Sequence, residues 1–229
     1  MTENASPGGA SGVSRREWVV VAGLTVLAGL LRLWRLGELP PGLHVDEAFN
    51  LLDVRSVIEG WRPVFLPANA GREVLFTYLQ APFVALLGES PGVARLVSAL
   101  AGTALVPVAW AAARELPLPR ARRVAVLAAG FVALSYWHLH FSRFGIRAVL
   151  FPLVAVGALW AWWRTVRRVV VAASGSAPGG IRHPTDVLPT GVLLGLAVYT
   201  HPLGRALFLV PVLDAAWHTW RLRDHRPAA

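Results

Sequence analysis

The sequence predicts an all-α, polytopic membrane helix bundle of about six spanning helices, with juxtamembrane helices in the first outer loop. Three observations predict it. Hydrophobic residues make up 55% of the 229 and charged residues only 15%, far from the balance of a soluble globule. Apolar runs recur along the chain, separated by segments that carry arginine. Ten tryptophans fit the aromatic belts at membrane–water interfaces. The chain has no cysteine, which excludes disulfides and thiolate metal sites. The net charge of +9 comes from arginines placed between apolar runs, not from one basic stripe. Membrane topology explains that pattern, and nucleic acid is not an expected partner.

Residues 1–14 are small and polar and read as a disordered tail. Residues 15–218 form the membrane domain, and 219–229 a basic cytoplasmic tail. Arg15 and Arg16 precede the apolar run Trp18–Leu31. No small-residue cleavage site follows it, so it reads as an uncleaved first membrane helix rather than a signal peptide. Further runs are Val74–Gly88, Val93–Ala113, Val124–Phe141, Ala148–Trp163, Val187–Tyr199 and Leu203–Trp217. Val74–Gly88 covers only about 22 Å as a helix, and Gln80 and Pro82 interrupt it. Ala172–Gly180 is a Gly/Ser/Ala/Pro linker.

The positive-inside rule decides whether Val74–Gly88 spans. If it lies in the interface, 13 of the 22 basic residues, all arginine, fall on the cytoplasmic side. If it spans, only 6 of the 22 do. The first topology is the expectation: an inner (plasma) membrane protein with six spans and a break around Thr200–Gly204. Its long outer loop runs from Arg35 to about Gly92, and a short one surrounds Ser142–Arg147.

Residues with chemical potential collect on the outer side of that topology. Asp46 and Glu47 stand together behind His44 and the turn Pro40-Pro41-Gly42. Asp46 falls where an N-cap would start a helix over Ala48–Ile58, so it reads either as a capping aspartate or as a rigidly held carboxylate with a chemical task. Arg143 and Arg147 follow His138 in the short outer loop. Near a membrane they read as phosphate-binding guanidinium groups or as arginines snorkelling to lipid headgroups. Arg95 opens the second spanning helix. Arg72 and Glu73 start the interfacial segment, with Tyr78 beyond them. Tyr199, His201 and Arg205 line the break between the last two helices. Convergence of carboxylates, arginines and histidines on one face suits an anionic ligand approached from the membrane. No histidine pair has a zinc-protease frame, and no phosphate loop or nucleophile elbow is present. No cofactor or metal site is expected; a divalent cation at Asp46/Glu47 is the one arrangement left open.

An Asp-Glu pair just after the first membrane helix resembles the protein O-mannosyltransferase and aminoarabinose transferase families of the GT-C glycosyltransferase superfamily. Supporting stretches are Arg72–Tyr78, Ala94–Ala99, Trp137–Arg143 and Gly195–His201, in the family's order and spacing. The likeness runs from about Trp18 to Pro211. It implies transfer of sugar from a polyprenyl phosphate to an acceptor at the outer membrane face. It also implies Asp46 as the base and Arg95 as a partner of the lipid phosphate. Some members carry another acid in the second outer loop. Here Ala148–Pro152 holds none, which leaves Glu47 as the substitute. Family members have around twice as many membrane helices. The resemblance therefore implies a fragment, a split gene or a degenerate relative, completed by a partner chain or a second copy.

The chemistry is then direct displacement. A carboxylate takes the proton of the attacking hydroxyl, arginines stabilise the leaving phosphate, and a single displacement inverts the anomeric centre. Two rival classes are a transporter or flippase subunit, which predicts an inverted repeat that the sequence lacks, and a non-catalytic membrane scaffold. Transfer from a radiolabelled polyprenyl-phosphate sugar separates them.

Overall fold

The computed structural model describes residues 13–68, 71–173 and 187–224. Helix α1 (Arg15–Leu33) is capped by Ser14, whose hydroxyl accepts from the Glu17 amide at 3.2 Å. The next turn passes Gly42 at φ 74°, a conformation that glycine adopts without steric cost. Then come α2 (Val45–Ile58) and a minimal antiparallel ladder in which β1 (Phe65–Leu66) pairs with β2 (Arg72–Glu73), Leu66 opposite Arg72. Beyond it lie α3 (Leu75–Leu87) and α4 (Pro91–Arg114). The chain continues through α5 (Ala121–Leu134), a short α6 (Tyr136–Phe141) and a 3-10 turn at Arg147–Val149. It closes with α7 (Leu150–Ala173), α8 (Leu188–Val198), two further 3-10 turns over 202–208, and α9 (Leu209–Asp224).

Polar cross-links show how the long helices run. At one end of the bundle, Glu17 near the start of α1 accepts from Trp110 Nε1 at 2.9 Å and Arg114 at 2.6 Å near the end of α4. Arg167, late in α7, pairs with Glu115 at 2.9 Å at the same end. At the other end, Arg143 donates to the last carbonyls of α1, and His201 after α8 stacks near Phe151 at the start of α7, ring centroids 5.6 Å apart. Helices α1, α4, α5, α7 and α8 thus alternate in direction, and α9 leaves the break after α8. The first core cluster joins Val21 and Ala28 of α1, Val106 and Trp110 of α4, and Ala125, Ala129 and Ala133 of α5. Three alanines spaced by four let the α5 backbone approach its neighbours closely, the small-residue packing typical of membrane helices.

Among the described residues two helical stretches, Pro91–Arg114 and Arg147–Val169, are long and apolar enough to cross a membrane. Helices α3 and α8 are apolar but shorter. Thirteen residues give α3 about 20 Å, less than the ~30 Å hydrocarbon core. Helix α1 has 19 residues but carries Arg15, Arg16, Glu17 and Arg32.

Two expectations change. The run Val124–Phe141 is two helices, because the backbone bends at Ser135. Helix α9 continues to Asp224, past the expected boundary at 218, and residues 225–229 lie outside the described ones. Most of the expected tail 1–14 and the linker after Ala173 also lie outside them. The expected break is present: α8 stops at Val198 and α9 starts only at Leu209.

Candidate active site

Helix α2 begins three residues earlier than expected, at Val45, and its cap is His44. The His44 ring nitrogen Nδ1 accepts from the Asp46 amide at 3.3 Å, while the Glu47 carboxylate accepts from the His44 amide at 2.8 Å. This reciprocal arrangement is a capping box. Asp46 is therefore not the cap. It sits in the first turn, half-exposed, with one carboxylate oxygen 3.6 Å from the His44 ring.

Glu47 points the other way and is fully buried against Arg95, also fully buried. Arg95 Nε donates to Glu47 Oε1 at 2.8 Å and Nη2 to Oε2 at 3.1 Å. Nη1 donates to the carbonyls of Leu36 at 3.1 Å and Pro40 at 2.8 Å, and Nη2 also to that of Gly42. All five N–H groups of Arg95 are consumed within the protein. The Gly145 amide adds a 2.8 Å bond to Glu47 Oε1. Glycine is required there, since a Cβ at 145 would lie 2.6 Å from the Ala94 carbonyl oxygen. Burial pushes the Glu47 carboxyl up, but the bonds from Arg95, His44 and Gly145, together with the Arg95 charge, outweigh it and hold it below the usual carboxylate range.

A cavity of about 200 Å³ opens beside this pair, lined by Asp46 and Asn50 of α2, Arg72 of β2, Ile146, Arg147 and Ala148, and His201 of the break. Four separate stretches of chain meet at it. Arg72 is buried and donates to the side chains of Asn50 and Asp53, and to the Ala68 carbonyl at 3.4 Å. Asn50 passes the link on, donating to the Gly145 carbonyl at 2.7 Å. Arg147 Nε lies 2.9 Å from Glu73 Oε2, but the two are not aligned as donor and acceptor, so the contact is ionic rather than a directed hydrogen bond. The Arg147 side chain keeps 28% of its surface exposed.

Of the residues expected at the site, Asp46, Arg72, Arg147 and His201 meet at the cavity, with His44 and Glu73 directly behind them. The others have different tasks. Arg95 holds no donor toward the cavity: its N–H groups go to Glu47 and to the carbonyls of Leu36, Pro40 and Gly42. Glu47 has both oxygens occupied and is closed to solvent. Arg143 spends its guanidinium on the carbonyls of Leu31, Arg32, Trp34 and Leu39, at 2.6–3.1 Å, and caps the end of α1. The Tyr78 hydroxyl donates to the Pro63 carbonyl at 2.8 Å. Tyr199 and Arg205 do not line the cavity. His138 turns into the bundle, its Nδ1 2.9 Å from Arg32 Nη2. Arg32 is itself fully buried and donates to the Val132 and Ala133 carbonyls at 3.0 and 3.2 Å, pairing groups freed by the bend at Ser135.

Sequence reasoning missed Asn50, Asp53 and Arg32. The first two were detectable: Asp46, Asn50 and Asp53 fall at i, i+4 and i+7, one polar stripe on α2. Arg32 was detectable as a charge inside an apolar run. Among the described residues no three His, Asp or Glu side chains gather as a metal site, and Glu47 keeps no oxygen for a cation beside Asp46.

A family model for dolichyl-phosphate-mannose-protein mannosyltransferase matches residues 70–227. The match includes Arg72, Arg147 and His201 and begins after Asp46. Among solved structures, the S. cerevisiae protein O-mannosyltransferase Pmt1-Pmt2 complex bound to the sugar donor is similar in fold, with a TM-score of 0.73 at 19% identity. The alignment covers 92% of this chain and 29% of that one, so this chain spans under a third of the larger protein. No curated protein matches the sequence. The chain belongs to the dolichyl-phosphate-mannose-protein mannosyltransferase family.

Proposed function

We propose that this chain bears the base and part of the donor site of a membrane glycosyltransferase that moves sugar from a polyprenyl phosphate to an acceptor hydroxyl. The observation that carries the reading is the cavity at which the half-exposed Asp46 carboxylate meets Arg147, Arg72 and His201. Asp46 is the base that takes the acceptor proton as oxygen attacks the anomeric carbon. Arg147 takes the donor phosphate, because it is the cavity arginine that combines exposure with an undirected ion pair. Charge grows on that phosphate as the glycosidic bond breaks, and a pre-placed guanidinium stabilises it. Arg72, held by Asn50 and Asp53, adds positive potential at the cavity wall. His201 offers a hydrogen bond from the side of the break. At about 200 Å³ the cavity suits a phosphate, while sites for whole small molecules reach roughly 300–1,000 Å³. The sugar then extends outward past Asp46.

Glu47 and Arg95 act as positioning residues in this reading. They fix α2 against α4 and so set the depth of the neighbouring Asp46. A single displacement inverts the transferred sugar. The six-span topology is part of the proposal, with this cavity on the non-cytoplasmic face of the inner membrane. A partner chain or second copy contributing to the lipid groove and the acceptor site is part of the proposal. The test is transfer from a radiolabelled polyprenyl-phosphate sugar in membranes that carry the chain, with Asp46→Asn and Arg147→Gln beside the wild type.

A further inference from the structure

A second cavity system lies on the opposite end and outer flank of the bundle, between α1 and α5. One part, about 480 Å³, is lined by Ser14, Arg16, Glu17, Val20, Arg122, Arg123 and neighbouring apolar side chains. A second, about 610 Å³, continues from the shared Val20, Val126 and Leu127 to Leu134 and Ser135. Together they make one groove with an arginine-rich mouth and an apolar trough. Its wall residues face outward: Leu127 is 72% and Phe131 74% exposed, an unlikely state in water but a favourable one in hydrocarbon. Gly130 opens the floor, since a Cβ there would meet no atom within 4 Å. The carboxylate lining the mouth, Glu17, is turned inward onto Arg114 and Trp110. The start of α5 adds the positive end of a 14-residue helix with no side-chain cap.

We propose that this groove binds one anionic phospholipid, with its phosphate at Arg16, Arg122 and Arg123 and an acyl chain along Val20, Leu24 and Gly130. The charge asymmetry selects this occupant. Positive groups sit at one end only, while the far end is marked by Leu134 and Ser135, so the groove complements an amphiphile with one anionic head. From Arg122 to Ser135 the groove is about 20 Å long, more than the ~15 Å of one hydrocarbon leaflet. A polyprenyl-phosphate donor does not fit the same place. The 19 residues of α1 set the mouth about 28 Å from the Asp46 end, so a sugar bound there is out of reach of the proposed base.

The test uses the full chain, delipidated in mild detergent and titrated in native mass spectrometry with phosphatidylglycerol, phosphatidylcholine of the same acyl chains, or a short polyprenyl phosphate. The expected result is one phosphatidylglycerol per chain, bound at least roughly tenfold more tightly than phosphatidylcholine. R16Q/R122Q/R123Q abolishes the preference, and R16K/R122K/R123K retains it, which separates charge from misfolding. Gly130→Phe fills the trough and weakens both phospholipids while the helical circular dichroism is unchanged. Equal binding of the two phospholipids overturns the proposal. So does a preference that survives both the glutamine variant and Gly130→Phe, or polyprenyl phosphate displacing phosphatidylglycerol from the arginines.

Discussion

Arg95 and Glu47, 48 residues apart, form a fully buried two-point ion pair whose remaining polar atoms are all satisfied by backbone groups. Two ions removed from water are tolerated only with such complete pairing, and loss of one partner strands the other. The pair joins the start of α2, the start of α4 and the Gly145 loop, and Asp46 is its direct neighbour in the chain.

Glu47→Gln and Arg95→Gln each lower the stability of the purified protein by about 3–5 kcal/mol. The double variant Glu47→Leu/Arg95→Leu costs less than the sum of its two single changes, because no lone charge remains buried. Thermal melts in detergent check both. Additive losses contradict the coupling.

The lowered Glu47 carboxyl gives the pair a pH signature. A depressed folded-state value means that the stabilisation is complete above the ordinary carboxylate range near ~4.3 and is lost as the pH falls through the folded-state value. Wild-type protein therefore loses melting temperature on acidification below that range. Glu47→Gln, less stable throughout, shows a shallower decline.

Asn50→Ala leaves the Gly145 carbonyl and a donor of Arg72 without partners. It costs about 1–3 kcal/mol and loosens the cavity wall, which a melt and a donor-binding titration both register. Arg147→Gln acts differently. It weakens binding of polyprenyl phosphate with little change in melting temperature, because Arg147 is partly exposed and its bond to Glu73 is undirected.

Topology is open to labelling because the chain has no cysteine. Val64→Cys, 74% exposed at the Asp46 end, reacts with an impermeant thiol reagent in intact cells. Leu118→Cys, 46% exposed at the other end, does not. The reverse pattern contradicts the placement of the cavity outside the cytoplasm.

Much of the helical layout was legible because apolar runs and arginine placement report directly on membrane burial. The break after Val198 followed from the gap between two apolar runs, and the short α3 from Gln80 and Pro82. The bend at Ser135 was not legible, since nothing in Leu134-Ser135-Tyr136 breaks a helix; it is sustained by Arg32, distant in sequence. The site was legible as a set of residue types on one face, but their division of labour was not. Whether an arginine faces a ligand or other protein groups depends on tertiary contacts: Arg95 is consumed by Glu47 and backbone carbonyls and Arg143 donates to backbone carbonyls, while Arg147 faces the cavity. The Pro-Gly turn before it places Asp46 at the expected N-cap position, with capping and a chemical task both open to it. His44 took that position, since its ring and Glu47 together complete a capping box.

The most direct test of the central claim is the initial rate of sugar transfer by Asp46→Asn in membranes, normalised to protein level. The substitution keeps side-chain size and removes the proton acceptor. Because His44 is the cap, the substitution leaves the capping box of α2 in place, and stability stays within about 1 kcal/mol of wild type. With Asp46 as the base, transfer falls by roughly two to four orders of magnitude. Near-normal transfer by the folded Asp46→Asn protein contradicts the assignment.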